Sequence, residues 1–122
     1  MTLKEIADAL VDGCKTGKEA QNLEVLYAAD AVSVEAADYT GQGRETAGLD
    51  GIRGKHAWWD SAFEMHSAEV EGPFLHGEDR FAVIFAVDAT EKATGQRMPM
   101  REVGIYHVAD GKIVREEFFG TE

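Results

Sequence analysis

The stretch "RFAVIFAVDATEKATGQRMPMREVGIYHVADGKIVREEFF", residues 80–119, decides the fold. It divides at "KATG" and "ADG" into three runs rich in β-branched and aromatic residues, each bounded by turn chemistry. "AEVEGPFLH" before "GED" supplies a fourth run. Short turns between consecutive strands predict an antiparallel meander of long hairpins. Side chains on a strand alternate between faces. Phe81, Val83, Phe85 and Val87 therefore share one face, and Ala82, Ile84 and Ala86 share the other. "KIVREEFF" breaks this pattern, because adjacent Glu116 and Glu117 cannot both face water if one side is core. One carboxylate is aimed inward, and an unpaired buried carboxylate is costly.

Upstream of residue 68 the period changes from two to that of helices. "LKEIADALVDGC" sets Leu3, Ile6, Leu10, Val11 and Cys14 on one stripe, and Gly17 ends it. "KEAQNLEVLYAA" predicts a second helix, and "AVSVEA" a strand. "DYTGQGRETAG" has the composition of an exposed loop. "DGIRGKHAWWDSAFEMHS" predicts the longest helix, with Ile52, His56, Trp59, Phe63 and His66 on a single stripe facing the sheet. The order helix, helix, strand, helix and four strands describes an α+β chain whose helices cover one face of a curved sheet.

The chain has 122 residues, enough for one domain over residues 1–122. Its 44% apolar content is that of a globular protein. No apolar run approaches the roughly 20 residues of a membrane span, and "MTLKEIADAL" has no signal-peptide core. A cytoplasmic location is expected. The formal charge of −11 argues against nucleic acid and anionic membranes as partners. Cys14 is the only cysteine, so no intrachain disulfide or cysteine-rich metal site is expected, and its place on the apolar stripe reads as a small core residue. The histidines lack ligand spacing, and "GIRGKH" lacks a phosphate-loop pattern, so no metal or cofactor is expected. Because the helices cover one sheet face, the apolar face of Ala82, Ile84 and Ala86 predicts a homodimer.

With this element order, "ATGQRMPMREVGIYHVADGKIVREEFFG", "LYAADAVSVEA" and "GIRGKHAWWDSAFEMHS" resemble the SnoaL-like proteins of the nuclear-transport-factor-2-like superfamily. The resemblance implies a cone-shaped α+β barrel: three helices packed on the concave face of a curved, mostly antiparallel sheet. It implies a pocket inside the cone for a small apolar or carbonyl-containing molecule. The scaffold carries cyclases, isomerases, epoxide hydrolases and non-catalytic binding modules alike. The ketosteroid isomerase pattern is interrupted, since Val34-Glu35-Ala36-Ala37 stands where that base is expected. The epoxide hydrolase pattern is half present, with Glu117 matching the last-strand acid and Asp88 the nearest middle-strand acid. A cyclase or isomerase using a single buried carboxylate is contradicted least, and Glu117, Glu116 or Glu102 can supply the carboxylate. By the last-strand match Glu117 is favoured.

Glu102 and Tyr106 lie four apart on one strand and project to one side, pairing a carboxylate with a hydroxyl donor. An edge glutamate paired with an arginine in solvent is the alternative for Glu102. His66 is a proton-transfer candidate, though a hydrogen-bonded core histidine has the same pattern. Trp59 and Phe63 serve as core or pocket wall, Met98 and Met100 as adaptable wall, and Glu35 and Asp88 as ligand contacts. A non-catalytic binding protein and a plain dimeric scaffold remain the other classes.

Overall fold

The structure is a computed structural model that describes residues 1–120. Helix α1, Leu3–Thr16, begins in a reciprocal cap: Glu5 N–H donates to Thr2 Oγ1 at 3.2 Å, and Thr2 N–H donates to Glu5 Oε1 at 2.9 Å. It stops at Gly17, whose φ of 72° is left-handed and whose N–H donates to the Gly13 carbonyl. The face between these ends buries Ile6, Ala7, Leu10 and Val11. Thr2→Ala removes the cap and is expected to lower stability by about 1 kcal/mol, read as a shift of the urea midpoint.

Helix α2, Glu19–Leu26, buries Leu23 and Leu26 and passes directly into strand β1, Tyr27–Val34. The second helix is thus shorter than its apolar spacing suggests. Tyr27 leaves it to pair with Ile113, where its ring is buried. The segment expected to be an exposed loop contains a short strand, β2, Glu45–Ala47, antiparallel to β1. Helix α3, Leu49–Ala62, is followed by β3 (Phe63–His76), β4 (Arg80–Glu91), β5 (Arg97–Ala109) and β6 (Lys112–Gly120).

The strands form one curved sheet of order β2-β1-β6-β5-β4-β3, in which only β1 and β6 run parallel. The edge strands β2 and β3 do not pair, so the cone stays unclosed. On the inner face, α1 and α2 enclose the core with Phe81, Val83, Tyr106 and Ile113. Phe81 and Tyr106 are register partners, and their rings stack with centroids 4.9 Å apart.

Two of the sheet's irregularities decide which candidate side chains face inward. Met65 pairs with Ala89 and Ser67 with Asp88, leaving His66 as an extra residue in β3. Val108 pairs with Ile113 and His107 with Arg115, leaving Val114 extra in β6. A bulge of one residue shifts every later side chain to the opposite face. Strict alternation from inward Ile113 would point Glu117 inward. The bulge points Glu116 inward instead.

Candidate functional site: a carboxylate at the wall of an apolar pocket

Between α3, the β1–β2 connection and the concave sheet lies a cavity of about 780 Å³, large enough for a small organic ligand. Trp59, Phe85, Met100 and Phe118 contribute apolar wall, and Glu35, Lys55, Glu102, Tyr106 and Glu116 contribute polar groups. Gly104 permits the sheet-side rings to meet. A Cβ there would lie 3.0 Å from Tyr106 and 3.2 Å from both Phe118 and Phe85.

Glu116 is the most deeply placed acid, with 2% of its surface exposed. Its Oε1 is buried and has no hydrogen-bond partner among the described residues. Burial pushes its carboxyl above the ordinary range, because the charged form loses its hydration. The hydroxyls of Tyr27 and Ser33 and the nearby Lys55 oppose that shift without cancelling it. Glu102 is half-buried, and its Oε2 also lacks a partner among the described residues. Burial first, and the charge of Glu35 second, raise its carboxyl as well. Tyr106 is fully enclosed, so burial and then Glu116 push its phenol well above the usual value. It is a neutral hydroxyl at any ordinary pH.

Among the described residues two cations line the cavity: Arg44, whose Nε donates to the Glu35 carbonyl at 3.0 Å, and Lys55. Lys55 Nζ donates to Ser33 Oγ, pairs with Glu35 Oε1, and lies 5.7 Å from the centroid of the Phe118 ring. His56 also lines the cavity. Burial, and then Lys55, lower its pKa, so it stands as neutral imidazole near pH 7. The Cys14 thiol lies in the wall and is pushed up to about 12 by burial, which keeps it from being a nucleophile.

The SnoaL-like domain profile matches residues 1–120. The chain belongs to the SnoaL-like domain family. A Mesorhizobium loti structure, of a protein whose proposed role is SnoaL-like polyketide cyclase with carbohydrate phosphatase also named, is 41% identical. The match covers 98% of this chain and 99% of that one, with a TM-score of 0.90. A Xanthomonas campestris protein of unknown function with a cystatin-like fold is 17% identical over 100% of this chain and 92% of its own, TM-score 0.78. A Catenulispora acidiphila protein of ketosteroid isomerase-like fold, in complex with trimethylamine, is 21% identical over 98% and 86%, TM-score 0.72. These last two show the fold alone. No curated protein shows significant similarity to the chain.

Within this SnoaL-like frame the residues singled out by sequence divide into two groups. Glu102, Tyr106, Met100, Trp59 and Glu35 line the cavity. Phe63 stands behind it, buried, stacked on Trp59 at 4.2 Å and edge-on to Trp58. Met98 shares the face of Met100 but lies beyond the cavity, paired with Ala89. Glu117 is on the outer face, against Arg44 at 3.4 Å and Arg115 at 3.3 Å, so the inward position expected for it belongs to Glu116. Asp88 is also outside, because its place in β4 has the parity of Ala82 and Ile84. There it takes two bonds from Arg97, at 2.9 and 2.7 Å.

His66 is exposed on β3, with its Nε2 2.6 Å from Thr90 Oγ1. The helical stripe that carried it inward ends at Ala62. The apolar residues Phe63, Met65, Ala68 and Val70 fit a strand with one bulge as well as they fit a helix. Sequence reasoning passed over Lys55, Ser33 and Tyr27. Lys55 did carry a signal, since it lies three residues after Ile52 and four before Trp59 on the inward stripe of α3.

Proposed function

We propose that the protein binds a small, largely apolar carbonyl compound in this pocket and moves a proton on it with Glu116, as a cofactor-independent cyclase or isomerase. The observation that carries this reading is the buried Glu116 carboxyl with an unpartnered oxygen at the cavity wall. An acid raised toward neutrality can both take a proton from carbon and return one to a developing alkoxide. Tyr106, opposite Glu116 in the register, offers a neutral donor beside it, and Glu102 stands four residues along β5 as a second proton-holding group. The cyclase role proposed for the Mesorhizobium loti relative supports the same class. A ligand-binding protein without chemistry is the competing reading. It would suit an inward acid closed off by arginine, but the acid so closed is Glu117, on the outer face.

The test needs no natural substrate. α-Tetralone in D2O exchanges its α-hydrogens slowly by itself, and the protein is expected to accelerate that exchange, followed by mass spectrometry. Exchange no faster than in buffer, with tetralone bound, contradicts proton transfer.

The same proposal includes a second copy of the chain. On the outer face, Phe74, Ala82 and Ile105 form one register row, and Ile84, Val103 and Phe119 form the next. Phe74 and Phe119 are each about half exposed there. Paired, these rows would remove an apolar patch from water. Ile84→Arg is expected to shift the species seen by light scattering from dimer to monomer, since it replaces an apolar contact of the seam with a bulky cation, beside Glu71 in the register. A wild-type monomer at micromolar concentration contradicts the assembly.

A further inference from the structure

Proton transfer by Glu116 gives no role to Lys55, the cation set beside its carboxyl. Lys55 is half-buried, and its ammonium is tied to Ser33 Oγ and Glu35 Oε1. An ammonium has three N–H donors, so one stays available to a ligand. Ser33, with none of its surface exposed, also lies against Glu116, so a single hydroxyl links the cation to the carboxyl. Phe118, the ring beneath Lys55, is two residues from Glu116 and on the same face of β6. Cation, carboxyl and aromatic wall thus converge on one end of the cavity.

We propose that Lys55 holds the ligand oxygen as it becomes an anion, so that this pocket selects acidic enols and phenols over neutral molecules of the same shape. This rests on the proton-transfer reading of Glu116 and adds the group that receives the charge. With a ketone, the Cα–H bond breaks and the proton goes to Glu116. The electron pair forms the C–C double bond, and the carbonyl π pair moves to the oxygen at Lys55. With a phenol, the O–H bond breaks and the phenolate stays at Lys55; the proton goes to Glu116 where that carboxyl is ionised, and to the solvent where Glu116 already holds a proton. In the ketone step, and with ionised Glu116, one negative charge moves from Glu116 to the ligand and the site's net charge is unchanged. A positioned, partly buried donor stabilises such an oxyanion more than a water-exposed lysine does. Glu35 and Ser33 hold the ammonium in place, so the charge transfer finds it already oriented.

The experiment uses 4-nitrophenol, whose phenol and phenolate differ in absorption, and nitrobenzene as its neutral counterpart. In buffer acidic enough to keep free nitrophenol protonated, the wild type is expected to bind it as the phenolate, about tenfold or more tighter than nitrobenzene. Lys55→Met is expected to lose both the phenolate spectrum and this preference while still binding nitrobenzene, which also reports that it folds. Lys55→Arg, keeping a cation, is expected to restore the spectrum in part. A phenolate spectrum that persists in Lys55→Met overturns the inference. Equal wild-type affinity for the two probes overturns it while leaving the pocket reading intact, and binding of neither overturns both. Trapping of tetralone on Lys55 by borohydride also overturns it, because the lysine would then act as a covalent imine-forming group.

Discussion

Glu116→Gln is expected to reduce protein-catalysed exchange on α-tetralone by roughly 10²–10⁴-fold, the usual worth of a positioned acid–base group. Gln keeps the shape of the side chain but holds no titrating proton, so tetralone affinity should remain largely intact. The same change should stabilise the fold at neutral pH. The Glu116 carboxyl is raised in the folded protein, chiefly by burial, so in the interval between its unfolded and folded pKa the folded state holds the extra proton. Stability then falls as pH rises through that interval, and the loss persists above it. Below the unfolded value both states are protonated and the penalty is absent. Glu116→Gln removes the penalty, so its stability advantage over wild type should be present at pH 7 and shrink on acidification. Urea unfolding at several pH values reads this directly. A variant that is inactive yet less stable than wild type at pH 7 would mark Glu116 as a structural hydrogen-bonding group instead. Activity and stability are here expected to move in opposite directions, as they do where a site stores an unfavourable charge.

Phe81→Ala is expected to cost about 3–5 kcal/mol, a large part of the whole stability of a chain this size. Phe81 has 1% of its surface exposed, and it stacks nearly parallel on Tyr106 at the point where helix-covered core becomes pocket. Removing the ring opens a cavity that α1 cannot fill without leaving the sheet. It also frees Tyr106 to tilt, so ligand affinity should fall along with stability. Val25→Ala is the control, because Val25 is more than half exposed and should cost no more than about 0.5 kcal/mol. A Phe81→Ala midpoint in urea as little shifted as that of Val25→Ala contradicts this account of the core.

The strand-rich half of the chain was legible because each hairpin carries its own turn signal and each strand its own alternation. The β4 faces of Phe81 and Ile84 follow from parity alone, and β5 delivers Glu102 and Tyr106 to the pocket by the same rule. What alternation cannot supply is a bulge. The extra Val114 shifts β6 by one residue and turns Glu116, not Glu117, toward the cavity. The extra His66 does the same in β3, where a helical stripe and a bulged strand share the same apolar positions. β2 escaped notice because three residues pair with β1 only after the chain has folded back on itself. Lys55 was overlooked for a different reason: a lysine on an inward stripe counts as a flaw in a helix until its partners Ser33 and Glu35, some twenty residues away in sequence, are in place. The site is therefore legible where it follows strand parity and hidden where it depends on register or on tertiary pairing.

Glu116 as the proton-holding group of the pocket is read by 13C NMR titration of the glutamate side-chain carboxyls, with the Glu116 signal assigned by its disappearance in Glu116→Gln. A Glu116 carboxyl that titrates above the ordinary glutamate range and moves when 4-nitrophenol is added is the expected result. A Glu116 signal that titrates at or below that range, and is indifferent to the ligand, would contradict it.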